Sequence, residues 1–142
     1  MFVLIGLSLA LPGLAMDRWA ALSMLESGDN DKAIGPGGEI SRFQIQSVLW
    51  PGGDPKDAEA AKSAAQKIMK ARLEEFSQSY KRPATDFEFY ILWNAPSYLS
   101  AKATKPIPAK VADRARRYAN LVQYGEEPST TNSTVTAVKS GG

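Results

Sequence analysis

The 142-residue chain contains no histidine and no cysteine. Together these absences remove Ser-His-Asp triads, thiol nucleophiles and Cys/His zinc sites, so any catalysis must use Asp, Glu, Ser, Lys, Tyr or backbone groups. No metal and no cofactor is expected. Without cysteine there is no disulfide framework, and thiols say nothing about redox compartment. An excess of one charge sign is lacking too: 17 basic against 15 acidic side chains leave +2, too little by itself to argue for nucleic acid. No segment sustains the alternation of a strand, and no internal repeat is visible. What remains is an all-α single domain, with 44% hydrophobic residues to fill one core.

Residues 1–15 carry no charge and are apolar almost throughout. Pro12-Gly13 breaks the run, and Gly13 and Ala15 are small residues at the positions a signal peptidase needs. The stretch resembles a secretory signal peptide, although no Lys or Arg precedes it; a buried first helix is the alternative. It is too short to cross a bilayer as a helix. The expectation is an exported monomer, periplasmic or extracellular, that begins at Met16 and does not stay inserted in a membrane. Residues 126–142 turn to Ser, Thr, Gly and Asn with almost nothing to bury, and read as a disordered tail. The folded domain is therefore placed at residues 16–125.

Within it, Asp17 is suited to cap a helix over about 18–27, on which Trp19, Leu22 and Glu26 share one face. Gly28-Asp29-Asn30-Asp31 stops that helix, and Gly35-Pro36-Gly37-Gly38 continues as a loop. Phe43, Ile45, Val48, Leu49 and Trp50 predict a helical turn or two before Pro51-Gly52-Gly53. From Pro55 to Tyr80 the spacing of Ala58, Ala61, Ala65, Ile68, Arg72 and Phe76 predicts the longest helix, with Pro55 near its first turn. Thr85 and Glu88 form a capping box opening a helix through Phe87 to Trp93, apolar nearly all round and hence central and buried. A last helix follows over Ala109–Tyr124, with Val111, Ala115, Tyr118 and Val122 inward and Gly125 as its stop.

Glu26 stands out because it continues an apolar face. A carboxyl there loses hydration, which disfavours its charged form and suits a general acid. Periodicity alone is better satisfied by a solvated residue at a frayed helix end. The basic residues Lys110, Arg114, Arg116 and Arg117 on the last helix lack an accompanying basic loop, so a solvated face accounts for them better than nucleic-acid binding.

The neighbouring motifs shift the balance at Glu26. Glu26-Ser27, then Gly38, then Gln44-Ile45, then Trp93-Asn94-Ala95-Pro96 resemble, in order and in Glu-to-Gln spacing, the lysozyme-like domain of soluble lytic transglycosylases and goose-type lysozymes. That family carries a catalytic Glu followed by Ser, a glycine-bearing loop ending in Gln-Ile, and a later Tyr-Asn-Ala-Gly. Arg114, Arg117 and Tyr118 look like the family's arginine-bearing closing helix. The resemblance spans about residues 17–124. Ser41-Arg42-Phe43 stands where the family commonly has Gly-Leu-Met, Trp93 replaces its Tyr and Pro96 its Gly, which alters the shape of the sugar subsites.

The resemblance implies a lysozyme-like helical domain with a loop-lined cleft, acting on peptidoglycan glycan strands. Glu26 would protonate the glycosidic oxygen between N-acetylmuramic acid and N-acetylglucosamine and then act as base on the muramyl 6-hydroxyl, giving an anhydro product. Ser27, Gly38, Ser41, Gln44, Ile45, Trp93 and Asn94 would contact substrate; the amides of Gln44 and Asn94 suit hydroxyl and N-acetyl groups, while Asn94 equally suits bracing a helix end. Tyr90 reads as core. Glu39 reads either as a second carboxylate that activates water, making the chain a muramidase, or as a solvated loop charge. A non-catalytic peptidoglycan-binding or assembly protein of the same fold is the remaining alternative.

Overall fold

Three of the four helices among the described residues start on a side-chain cap. Asp17 Oδ1 accepts the backbone N–H groups of Trp19 and Ala20 at 2.9 and 3.2 Å, Asp57 takes that of Ala60 at 2.8 Å, and Thr85 with Glu88 closes the expected capping box. The computed structural model describes residues 15–125, so the leader and tail readings fall on residues 1–14 and 126–142, outside the described residues. Among the described residues there are four helices and no strand. They are α1 Arg18–Ser27, α2 Ala58–Tyr80, α3 Asp86–Asn94 and α4 Ala109–Tyr124, with 3-10 turns at Ser47–Leu49 and Pro96–Leu99. None is long and apolar enough to cross a membrane. Helices α1 and α4 end on Gly28 and Gly125, both left-handed, where a side chain would be strained. Helix α2 starts later than Pro55 suggests, because the Asp57 carboxylate supplies the cap. It ends at Tyr80, where Lys81 turns left-handed and donates its N–H to the Ser77 carbonyl, two residues ahead of Pro83.

Helix α3 is the buried centre. Phe89, Tyr90, Ile91, Leu92 and Trp93 are all buried, and the helix packs against α2, α4 and the Pro96–Leu99 turn. Each such large side chain contributes on the order of 1.5–3 kcal/mol. Phe89 stacks on Tyr118 of α4 at 5.6 Å and meets Trp19 of α1 edge-on at 5.6 Å. On α4, Ala115 and Tyr118 are buried as expected, together with Ala112 and Leu121, while Val111 and Val122 are partly buried and pack against the core.

Between α1 and α2 the chain makes a long loop held by two isolated antiparallel bridges, Ile34 with Ile40 and Ile40 with Ile45. The Ile40 and Ile45 backbones exchange both hydrogen bonds, at 2.9 and 2.8 Å. To close so tight a turn, Ser41 and Gln44 adopt positive φ of 70° and 51°, a conformation that costs a residue with a side chain about 1–2 kcal/mol. Phe43 and Ile45, each 2% exposed, anchor the turn in the core and offset that cost.

Candidate active site

Glu26 sits on the last turn of α1, one turn beyond the fully buried Leu22. Its side chain is 8% exposed. A carboxylate so buried costs several kcal/mol unless it is paired and hydrogen-bonded. The pairing comes from two other helices. Tyr90 of α3 donates its hydroxyl to Glu26 Oε1 at 2.7 Å. Arg114 of α4 donates from Nη2 to the same oxygen at 3.1 Å, and from Nε to the Tyr90 hydroxyl oxygen at 2.7 Å. Burial, followed by the charge of Glu26, pushes the Tyr90 phenol far above its ordinary value. Burial works against the charge on Arg114, but Tyr90 and Glu26 outweigh it and hold the guanidinium above its usual value.

Glu26 and Arg114 border a cleft of about 440 Å³, also lined by Glu39, Gln44, Ile45, Trp93, Asn94, Arg72 and Lys110, while Tyr90 lies buried behind them. The cleft has two walls of different origin. One is helical: Trp93 and Asn94 end α3, where Arg72 of α2 donates from Nη1 to the Leu92 and Trp93 carbonyls, both at 2.8 Å. These carbonyls are among those the helix end leaves without partners, so Arg72 both completes α3 and pins it to α2. Burial lowers the pKa of Arg72. The other wall is the loop carrying Glu39 and Gln44.

The loop consumes much of its own polarity. Gln44 Nε2 donates to the Ser41 carbonyl at 2.9 Å. Glu39 folds back so that its Oε2 accepts the Gly37 N–H at 3.0 Å. A Cβ on Gly35 would fall on the Glu39 and Gln44 side chains, and one on Gly37 on the Glu39 carboxylate, so a side chain at either position would displace the folded-back Glu39. Ser27, Gly38 and Ser41 do not border the cleft. Ser27 Oγ donates to the Arg42 carbonyl at 2.8 Å and accepts the Asn30 N–H at 3.0 Å, tying α1 to the loop. Ser41 is 2% exposed and accepts the Phe43 N–H. Arg42 forks onto Asp31 at 2.6 and 3.0 Å. That bond first of all lowers the pKa of Asp31 and raises that of Arg42.

Of the residues singled out in the sequence, the fold thus gathers Glu26, Glu39, Gln44, Ile45, Trp93 and Asn94 around one cleft. To that lining it adds Arg72, Lys110 and Arg114, and behind it Tyr90, bonded to Glu26. Tyr90 is fully buried, as core patterning suggests, yet its hydroxyl serves Glu26. Arg114 is not the solvated basic residue its helix suggests. A signal for it existed: it lies three residues after Val111 and four before Tyr118, on the side of α4 that turns inward. Two opposite charges on the inward faces of two helices call for a pair.

Comparison with protein-family models, with curated proteins and with solved structures returns no match. The site is therefore classed by its own chemistry: a helical domain with one buried carboxyl, Glu26, set at the edge of a polar, loop-walled cleft.

Proposed function

We propose that the protein is an exported peptidoglycan-cleaving enzyme with a lysozyme-like fold, a lytic transglycosylase in which Glu26 is the only catalytic acid. The observation that carries this reading is the Glu26 side chain, 8% exposed and still bordering the 440 Å³ cleft. A desolvated carboxyl at a polar cleft is how glycan-cleaving enzymes hold a proton donor. The same cleft carries the motif residues Gln44, Ile45, Trp93 and Asn94.

In the reaction, Glu26 transfers its proton to the glycosidic oxygen as the bond from that oxygen to the muramyl anomeric carbon breaks. The ring is left with oxocarbenium character. The muramyl 6-hydroxyl then attacks the anomeric carbon, and its proton returns to the Glu26 carboxylate. No water is consumed and the acid is regenerated. The exposed Asn94 amide would hold the sugar beside the buried Trp93, giving the orientation that makes the internal attack fast.

A second reading, hydrolysis with Glu39 as base, draws on the presence of Glu39 in the same lining. The Gly37 N–H that holds its carboxylate argues for a loop-bracing role instead. Mass spectrometry of sugars released from purified peptidoglycan tests both. Disaccharides ending in anhydro-muramic acid are expected, and Glu39→Ala should lower the rate by less than about tenfold. Reducing ends from the wild type, with a deep loss in Glu39→Ala, would make the chain a muramidase. Binding to peptidoglycan without any release would make it a binding protein.

A further inference from the structure

Both hydrogen bonds that reach the Glu26 carboxyl end on the same oxygen, Oε1: one from Tyr90 at 2.7 Å and one from Arg114 Nη2 at 3.1 Å. The direction of the Tyr90 bond follows from a third contact. A guanidinium has donors only, so the 2.7 Å contact from Arg114 Nε to the Tyr90 oxygen makes that oxygen an acceptor. The phenol has one proton, and with its oxygen already accepting, that proton is directed at Glu26. Oε1 is therefore met by two donor hydrogens. An acid proton on Oε1 would face both of them. Arg114 is itself anchored, since Nη2 also lies 3.4 Å from the Leu25 carbonyl, which ties the guanidinium to the last turn of α1.

We infer that Tyr90 and Arg114 are positioning residues that confine the acid proton of Glu26 to Oε2. The inference rests on the reading of Glu26 as the proton donor. A carboxylic acid free to place its proton on either oxygen, or to turn about its last bond, presents it to substrate only part of the time. Here one oxygen is a fixed acceptor and the other is the single donor site. The arrangement serves the return step as well. Once the proton has left, Arg114 and the Tyr90 hydroxyl stabilise the carboxylate through Oε1, and Oε2 is left to accept the proton of the attacking hydroxyl.

The test uses the full chain and a soluble peptidoglycan oligosaccharide. Tyr90→Phe removes the hydroxyl and keeps the ring that packs on Tyr118. It is expected to lower kcat on the order of tenfold with KM nearly unchanged, because the donor group is misaligned and the cleft is intact. Arg114→Lys keeps the charge, but one nitrogen cannot occupy both the Nε and Nη2 positions, so it should lose about as much. The double variant should lose little more than either single one, as residues acting as a unit do. Wild-type kcat in Tyr90→Phe, a loss there that falls on KM instead of kcat, or a double variant whose losses multiply, would overturn the assignment even with Glu26→Gln inactive. A wild-type chain that cleaves nothing would overturn the assignment and the proposed function together.

Discussion

Two trios of Arg, Glu and a hydroxyl flank α3, and they differ in how many carboxylate oxygens are used. At its N-terminus Arg82 forks onto Glu88, Nη2 to Oε1 at 2.7 Å and Nη1 to Oε2 at 2.8 Å, while Thr85 donates both its N–H and its hydroxyl to Oε2 at 2.9 Å. The Arg82 bonds first, and Thr85 with them, hold Glu88 down to about 2 despite partial burial. Both oxygens are saturated, the charge is fixed, and the result is a helix cap. One turn further in, Tyr90 and Arg114 load only Oε1 of Glu26. The same three chemistries engage both oxygens at the helix cap, and among the described residues leave Oε2 of Glu26 without a bond.

The contrast is broken most sharply by making one substitution on each side. Glu26→Gln keeps the shape and removes the transferable proton, so turnover should fall on the order of a hundredfold or more with unchanged circular dichroism; near-wild-type turnover would take Glu26 out of the mechanism. Glu88→Gln should leave turnover unaltered. Next in size is Arg114→Met, which leaves the buried Glu26 carboxyl with the Tyr90 hydroxyl but without its ion-pair partner. Urea denaturation should show a loss of about 2 kcal/mol, less than for a fully enclosed pair because the Arg114 side chain is 34% exposed. Thr85→Ala should cost about 1 kcal/mol through the lost cap.

The smallest effect is the most diagnostic. At neutral pH Glu88→Gln should cost roughly 0.5 kcal/mol, the size of a charge effect at a helix N-terminus. Its folded value, about 2, lies below the ordinary 4.5, so this stabilisation is complete above the unfolded value and is lost as pH falls toward the folded one. The gap between wild type and Glu88→Gln in urea midpoint should therefore close on acidification across that window. A gap that stays constant would show that the ion pair adds nothing to the cap.

What the sequence made legible was local. The caps at Asp17 and Thr85, the glycine stops at Gly28 and Gly125 and the bounds of α4 each depend on residues within a turn of one another, and they stand where periodicity puts them. Glu26 was legible because it continues the row of Trp19 and Leu22. Its partners were not: Tyr90 lies 64 positions away and Arg114 88, and nothing short of the packing of three helices brings them together. On α4, Ala115 and Tyr118 are buried as the spacing indicates, and Val111 and Val122 pack at the edge of the core while Ala112 and Leu121 are buried beside them. The self-bonding of Glu39 and Gln44 within their loop depends on the left-handed backbone at Ser41 and Gln44, which non-glycine residues rarely adopt.

The folding of Glu39 onto its own loop has a genetic consequence. The three nearest atoms to a Cβ on Gly37 all belong to the Glu39 carboxylate group, whereas one on Gly35 would also meet Gln44 Oε1 and the Glu39 Cβ. A defect caused by Gly37→Ala should therefore be suppressed in cis by Glu39→Ala, and the same second change should fail to rescue Gly35→Ala. Two glycines two residues apart would then differ in whether a suppressor exists, and the difference traces to a single carboxylate.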